Sequence, residues 1–141
     1  MCLCFGFTPD LKNVLMVDKT KGPDVALGLN GVGGKLEPCE PSETGMRREW
    51  SEETNTDIEH LLYLQTMIFS DGSIVEVFGA VLSEDAVEAI PRKNDVGEQL
   101  LWMNAEDVLQ ATVRDSAYAG YGNVPYFVGI AREAIISSLE S

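Results

Sequence analysis

Three glutamates stand close together in the first half of the chain: Glu49, Glu52 and Glu53. Their spacing of three and four residues places them on one face of an α-helix, where the carboxylates repel one another. Each such pair costs an isolated helix about 0.2–0.5 kcal/mol, and a bound divalent cation would turn this repulsion into attraction. Carboxylate ligands suit Mg²⁺ or Mn²⁺, which also accept backbone carbonyls, water and substrate phosphates. The spacing therefore indicates a candidate Mg²⁺ or Mn²⁺ centre.

The same pattern also fits a solvated acidic helix face that binds nothing. In that case Glu43–Arg47 and Arg48–Glu52 pairs, each four residues apart, would balance the charge. The segment before the helix favours the metal centre, because it carries three glycines within four residues. These are Gly31, Gly33 and Gly34. Glycines let a backbone approach a ligand closely, and strands rarely carry so many for packing reasons.

The segment from Gly34 onwards resembles the signature of the Nudix hydrolases. That signature is Gly, five residues, Glu, seven residues, Arg-Glu, an apolar residue, one residue, Glu-Glu, one residue, Gly and an apolar residue. The matching positions are Gly34, Glu40, Arg48, Glu49, Trp50, Glu52 and Glu53. The departures are Asn55 and Thr56 at the helix exit. Residues 30–35 read Asn-Gly-Val-Gly-Gly-Lys, which matches the segment before this box in MutT-type members.

The resemblance implies a site that hydrolyses a pyrophosphate linkage with the help of Mg²⁺ or Mn²⁺. The implied metal ligands are the Gly34 carbonyl, Glu49, Glu52 and Glu53. Arg48 would pair with Glu40 and orient the loop against the helix without binding phosphate. The general base stays open among Glu52, Glu53 and Glu98, the last of which lies between the predicted hairpin and the last strand.

The MutT-type resemblance implies a nucleoside triphosphate substrate, standard or modified, with a monophosphate and pyrophosphate as products. The implied substrate-binding residues are Asn30, Lys35, Asn123 and Tyr126. Asn30 and Asn123 would hydrogen-bond the base, while Tyr126 would stack on it or simply pack in the core. Hydrolysis of ADP-ribose or a dinucleotide remains an alternative, as does a Nudix-fold sensor that binds a nucleotide without cleaving it. All four box glutamates and Arg48 are present, which favours an enzyme.

Composition restricts the partners and the compartment. The chain has 141 residues and a net charge of -13, which repels polyanions over roughly 8 Å at physiological salt. We therefore expect no duplex nucleic acid, no RNA-decapping function and no anionic membrane among its partners. Three cysteines make no disulfide framework, and no apolar run reaches the roughly 20 residues of a membrane span. A cytoplasmic protein is expected, as a monomer or a homodimer.

The elements that must position these residues follow from local patterns. We predict one α+β domain over residues 1–141, whose element order resembles the Nudix fold, an α/β/α sandwich around a mixed sheet. Strands are predicted over residues 3–7, 14–17 and 100–103, with a hairpin of residues 61–69 and 74–82 around Asp71-Gly72. Helices are predicted over residues 42–53, 105–109 and 124–139. The Ser42 hydroxyl is expected to cap the first of them and Asn55 to end it.

Overall fold

The computed structural model describes residues 1–19, 28–111 and 123–140. Its strands are β1 Cys2–Phe7, β2 Asn13–Asp18, β3 Leu29–Asn30, β4 Val32–Gly34, β5 Leu61–Ile68, β6 Ile74–Val81 and β7 Gln99–Asn104. Its helices are α1 Ser42–Thr54, α2 Glu84–Ala89, α3 Ala105–Leu109 and α4 Asn123–Glu140.

The described strands form one mixed sheet with β1 in its interior. β1 pairs in parallel with β6 and antiparallel with β2 and β4. β2 also carries β3 and β7, while β5 pairs with β6 at the other end of the sheet. The predicted mixed sheet is therefore confirmed, and its one described parallel pair joins the start of the chain to the hairpin.

Helices cover both faces of the sheet, as a sandwich requires. Strand side chains alternate between the faces, so Cys2 and Cys4 pack in the cluster with α1, whereas Leu3, Phe5 and Phe7 pack in the cluster with α4. α1 contributes Met46 and Trp50 to its cluster. α4 contributes Val124, Phe127, Val128, Ala131 and Ile135, the periodic positions that predict its buried face. No described helix is both long and apolar enough to cross a membrane.

The β5–β6 hairpin closes at the turn that the Asp-Gly pair predicts. The Phe69 N–H donates to the Ser73 carbonyl at 2.9 Å, and Gly72 has φ +88°, a conformation that side chains disfavour. Asp71 Oδ1 accepts the Ser73 backbone N–H at 2.9 Å. The predicted hairpin is thereby confirmed.

The sequence prediction for α1 is right at its C-terminal end and wrong at its N-terminal end. Asn55 has φ 56° and ψ 25°, and its N–H donates to the Ser51 carbonyl, so the predicted left-handed end is confirmed. The predicted Ser42 cap is wrong, because Ser42 is already the first helical residue and the capping position is Pro41, which has no acceptor in its side chain. The sequence analysis also missed α2, whose Ser83 Oγ accepts the Ala86 N–H at 3.2 Å.

Candidate functional site

The site begins where β4 meets α1. Glu49 packs directly on Gly34, since a Cβ atom at Gly34 would lie 2.5 Å from Glu49 Oε2. On the other side, β1 places Cys2 opposite Gly34, and the Cys2 thiol donates to the Gly34 carbonyl at 3.6 Å. The absence of a side chain at Gly34 thus brings its backbone against the Glu49 carboxylate, which is 13% exposed.

Arg48 fixes the loop between β4 and α1. Its Nε and Nη2 donate to the two oxygens of Glu40 at 2.8 and 2.9 Å, and Nη2 also donates to the Lys35 carbonyl at 3.2 Å. Glu40 Oε1 accepts the Glu37 backbone N–H at 3.0 Å as well. Hydrogen bonding to Arg48, and to a smaller extent to the Glu37 N–H, lowers the pKa of Glu40 to about 2. The Lys35 side chain itself is exposed.

We expect the Glu40–Arg48 pair to make stability depend on pH in acid. The Glu40 carboxyl titrates near 4.5 in an unfolded chain and near 2 in the folded one, so the ionised form stabilises the fold above pH 4.5 and this contribution is lost as the pH falls towards 2. The free energy of unfolding of the wild type should therefore exceed that of Glu40→Gln at pH 6, and the difference should shrink between pH 4.5 and 2.

Urea unfolding of both proteins at a series of pH values tests this expectation. Glu43→Gln is the matched control, because Glu43 also pairs with an arginine of α1 but its side chain is 62% exposed. A Glu40→Gln difference that stays constant on acidification would contradict the assignment.

The three box carboxylates have different environments. Arg48 Nη1 donates to Glu49 Oε1 at 3.1 Å and to Glu52 Oε1 at 3.3 Å, so this arginine partly neutralises both. Glu52 is 60% exposed, whereas Glu53 is partly buried. Burial raises the pKa of Glu53, and the carboxylates of Glu98 and Glu49 add to that rise.

The donor groups of the site determine whether it could hold a divalent cation. With Arg48 bonded to Glu49 and Glu52, the described residues contain no group of three or more His, Cys, Asp or Glu side chains arranged as metal ligands. The chemistry nevertheless fits Mg²⁺ or Mn²⁺, since the candidate ligands are carboxylate and carbonyl oxygens and the charges of Glu98 and Glu49 both act unfavourably on the Glu53 carboxylate. A cation would relieve this like-charge repulsion.

An asparagine that the sequence analysis missed brings Glu98 to this site. Asn94 Nδ2 donates to Glu53 Oε2 at 2.6 Å and to Glu98 Oε1 at 2.9 Å. A cleft of about 200 Å³ lies here, lined by Glu52, Glu53, Asn94, Asp95 and Val96. Lys19, also missed, lowers the pKa of Glu53 by its charge. Asn94 stands 41 positions from Glu53, so no local pattern links the two residues. In the sequence, only Gly97, as a turn residue, indicates a closed loop here.

A second, larger cavity receives two of the predicted substrate-binding residues. It has a volume of about 380 Å³ and is lined by Met1, Leu3, Asn30, Phe69, Ser70, Asp71, Ser73, Ile74, Val75, Asn123, Val124 and Phe127. Asn30 is 7% exposed, and its Oδ1 accepts the Gly31 N–H at 2.8 Å. Tyr126, predicted to stack on the base or to pack in the core, is 50% exposed and its hydroxyl donates to Gln65 Oε1 at 3.1 Å, while the neighbouring Phe127 lines the cavity.

Comparison with known proteins adds a family and a fold. The family model described as NUDIX domain matches residues 3–121. A structure of MutT from Aliivibrio salmonicida and Vibrio cholerae is similar, with 16% identity, TM-score 0.63 and 93% of each chain covered. The NUDIX domain of Shewanella oneidensis NrtR complexed with ADP ribose has 24% identity, TM-score 0.67 and coverage of 95% of this chain and 86% of that one.

A Caenorhabditis elegans Ap4A hydrolase binary complex is similar as well, with 15% identity, TM-score 0.64 and coverage of 99% of this chain and 98% of that chain. The search of curated proteins gives no match. At these identities the solved structures establish the fold, and the predicted α/β/α arrangement around a mixed sheet is confirmed.

Proposed function

Because the chain belongs to the Nudix hydrolase family, we propose that it is a pyrophosphohydrolase that uses Mg²⁺ or Mn²⁺ to cleave a nucleoside triphosphate, standard or modified, to a monophosphate and pyrophosphate. The observation that carries the proposal is the group of acidic side chains at one end of α1. Glu49 lies on Gly34, and Glu53 shares the Asn94 amide with Glu98. Arg48 offsets part of this repulsion, at Glu49 and Glu52, and a bound divalent cation would offset the rest.

The proposed mechanism assigns a role to each side chain of the site. The Gly34 carbonyl, Glu49, Glu52 and Glu53 would hold the divalent cation. When bound, this ion would neutralise phosphate charge and make a coordinated water more acidic. The general base that takes the proton of the attacking water is Glu52, Glu53 or Glu98. Arg48 keeps the loop and its Gly34 end in place through Glu40, at 2.8 and 2.9 Å.

The cavity of about 380 Å³ is the proposed base pocket. Its walls are mostly apolar, and the amides of Asn30 and Asn123 supply hydrogen bonds to a heterocycle, with Phe127 as the aromatic contact. Lys35 is exposed one residue after β4, where its ammonium group is proposed to contact substrate phosphates.

Two of the structural relatives point to other substrates. The NrtR domain was solved with ADP ribose and the nematode protein is an Ap4A hydrolase. Cleavage of ADP-ribose or of a dinucleoside polyphosphate would use the same acidic residues. These substrates differ from a nucleoside triphosphate in the group on the far side of the phosphates. A nucleotide sensor would bind without turnover, and the intact set of box carboxylates speaks against it.

The proposal predicts turnover of at least one nucleoside triphosphate, with a monophosphate and pyrophosphate as products, and complete loss of turnover when a chelator removes the divalent cation. The measurement is product analysis by chromatography with mass detection, on standard and oxidised triphosphates, ADP-ribose, NADH and diadenosine polyphosphates. Preferential cleavage of ADP-ribose or a dinucleotide would replace the substrate class and keep the chemistry. Tight binding without turnover of any compound would replace the enzyme with a sensor.

A further inference from the structure

Residues 94–98 form a small loop that Asn94 closes. The Asn94 N–H donates to the Glu98 carbonyl at 3.0 Å, and the Gly97 N–H donates to the Asn94 carbonyl at 3.0 Å. Asn94 Oδ1 accepts the Glu98 N–H at 2.9 Å. Gly97 has φ +86°, which permits the tight turn. The backbone and the side chain of one residue therefore determine where Glu98 lies.

The same side chain reaches out of the loop to α1. Its Nδ2 group has two hydrogens and donates to Glu53 Oε2 at 2.6 Å and Glu98 Oε1 at 2.9 Å. The partners fix the orientation of the amide, because a backbone N–H only donates and an ionised carboxylate only accepts. Closing the loop requires the bonds to Glu98 alone. The bond to Glu53 is additional; it spans 41 positions of sequence and brings two like charges to one amide.

We propose that Asn94 is a positioning residue, which holds Glu98 beside Glu53 and so sets the distance between the loop glutamate and the carboxylates on α1. This inference rests on the proposed function. Asn94 donates both hydrogens of its amide nitrogen to carboxylates and takes no part in bond making or breaking. Without that amide, the two carboxylates repel and Glu98 moves away from the site. A displacement of about 1 Å lowers turnover on the order of 10²-fold in well-ordered sites.

Two variants separate this role from simple loop closure. Asn94→Asp keeps the size and the Oδ acceptor for the Glu98 N–H, but replaces the bridging donor with a third carboxylate. Asn94→Ala removes both contacts. Asn104→Ala is the matched control, because Asn104 Oδ1 also accepts a backbone N–H, that of Asp107 at 3.0 Å, but caps the start of α3 and has no bond to Glu53 or Glu98 among the described hydrogen bonds.

The readouts are kcat and KM for the best triphosphate at saturating Mg²⁺, the thermal midpoint, and Mn²⁺ binding without substrate, followed by electron paramagnetic resonance of the free ion. We expect both Asn94 variants to lose about 10–100-fold in kcat with KM changed by less than about twofold. Mn²⁺ binding should weaken several-fold in Asn94→Ala, which leaves Glu53 without its hydrogen bond to Asn94, and be retained in Asn94→Asp, whose added carboxylate attracts the cation. The control should change only its thermal midpoint.

The outcomes are distinguishable from a failure of the proposed function. A wild type that hydrolyses nothing overturns that function. In that case Mn²⁺ binding still tests the positioning role of Asn94, which equal Mn²⁺ affinities of the wild type, Asn94→Ala and Asn104→Ala would overturn. In an active enzyme, an Asn94→Asp variant that keeps most of its kcat would overturn it too. A loss of kcat that follows the loss of thermal midpoint equally in the Asn94 and Asn104 variants would show a merely structural role.

Discussion

Glu53→Gln is expected to lower kcat at saturating Mg²⁺ on the order of 10²–10³-fold. The substitution keeps the size of a partly buried side chain but removes the charge that the proposed cation and the proposed base chemistry both need. Gln can still turn its oxygen towards the Asn94 amide, whose nitrogen lies 2.6 Å from Glu53 Oε2 in the wild type. The fold should therefore survive, and the thermal midpoint should change little or rise, because burial disfavours the charged form of Glu53.

Single-turnover and steady-state rates of the wild type and the variant, with Mg²⁺ varied from limiting to saturating, measure this effect. Glu43→Gln provides the control, because it removes a carboxylate of the same helix that is 62% exposed and pairs with Arg47. We expect the control to stay within about twofold of the wild type, as surface pairs contribute little. Near-full turnover of Glu53→Gln would remove Glu53 from both the ligand role and the base role.

Gly33→Ala is expected to destabilise the fold by about 2–3 kcal/mol or more. A Cβ atom at Gly33 would lie 1.9 Å from the Cys2 carbonyl oxygen and 2.9 Å from its carbon. A flexible side chain could swing away, but here the obstacle is the backbone of β1, which pairs with β4 at Leu3↔Gly33. The two strands must separate, in the interior of the sheet and next to Gly34.

Urea unfolding at neutral pH measures the free-energy difference. Gly129→Ala makes the opposite case, because Gly129 lies inside α4 and its Cβ would meet only the side-chain atom Leu109 Cδ2, at 3.3 Å. Alanine favours a helix interior by about 1 kcal/mol over glycine, so this variant should be neutral or slightly stabilised. Equal destabilisation of the two variants would show that the close approach of β1 and β4 is not what requires glycine at position 33.

The sequence predicts well those elements whose signals are local. Asp71-Gly72 predicts the hairpin because the turn conformation depends on the glycine itself, with φ +88°. Asn55 ends α1 for a similar local reason. The Ser42 cap failed because capping depends on which residue stands one position before the helix, and a shift of one residue makes that residue Pro41.

The sequence predicts only the part of the site that lies on one helix. The spacing of Glu49 and Glu53 gives a shared helix face, but it does not show that Arg48 bridges Glu49 and Glu52 at 3.1 and 3.3 Å. The role of Asn94 depends on a contact 41 positions away, and no local pattern contains it. The helical period of α4 marks Phe127 as buried and turns Tyr126 outward. That period alone therefore favours Phe127 over Tyr126 as the aromatic residue that lines the cavity.

The parallel pairing of β1 with β6 has a consequence for the order in which the molecule assembles. Every pair in that register, from Cys2↔Glu76 to Phe7↔Val81, joins residues 74 positions apart. Contacts of such long range slow folding, because the loop between them must be closed before the pairing stabilises anything. β1 thus waits for the hairpin, which is synthesised later. Because Cys2 pairs with both Gly34 and Glu76, we expect the strand that lies against Gly34 to reach its final pairing only once β6 is present.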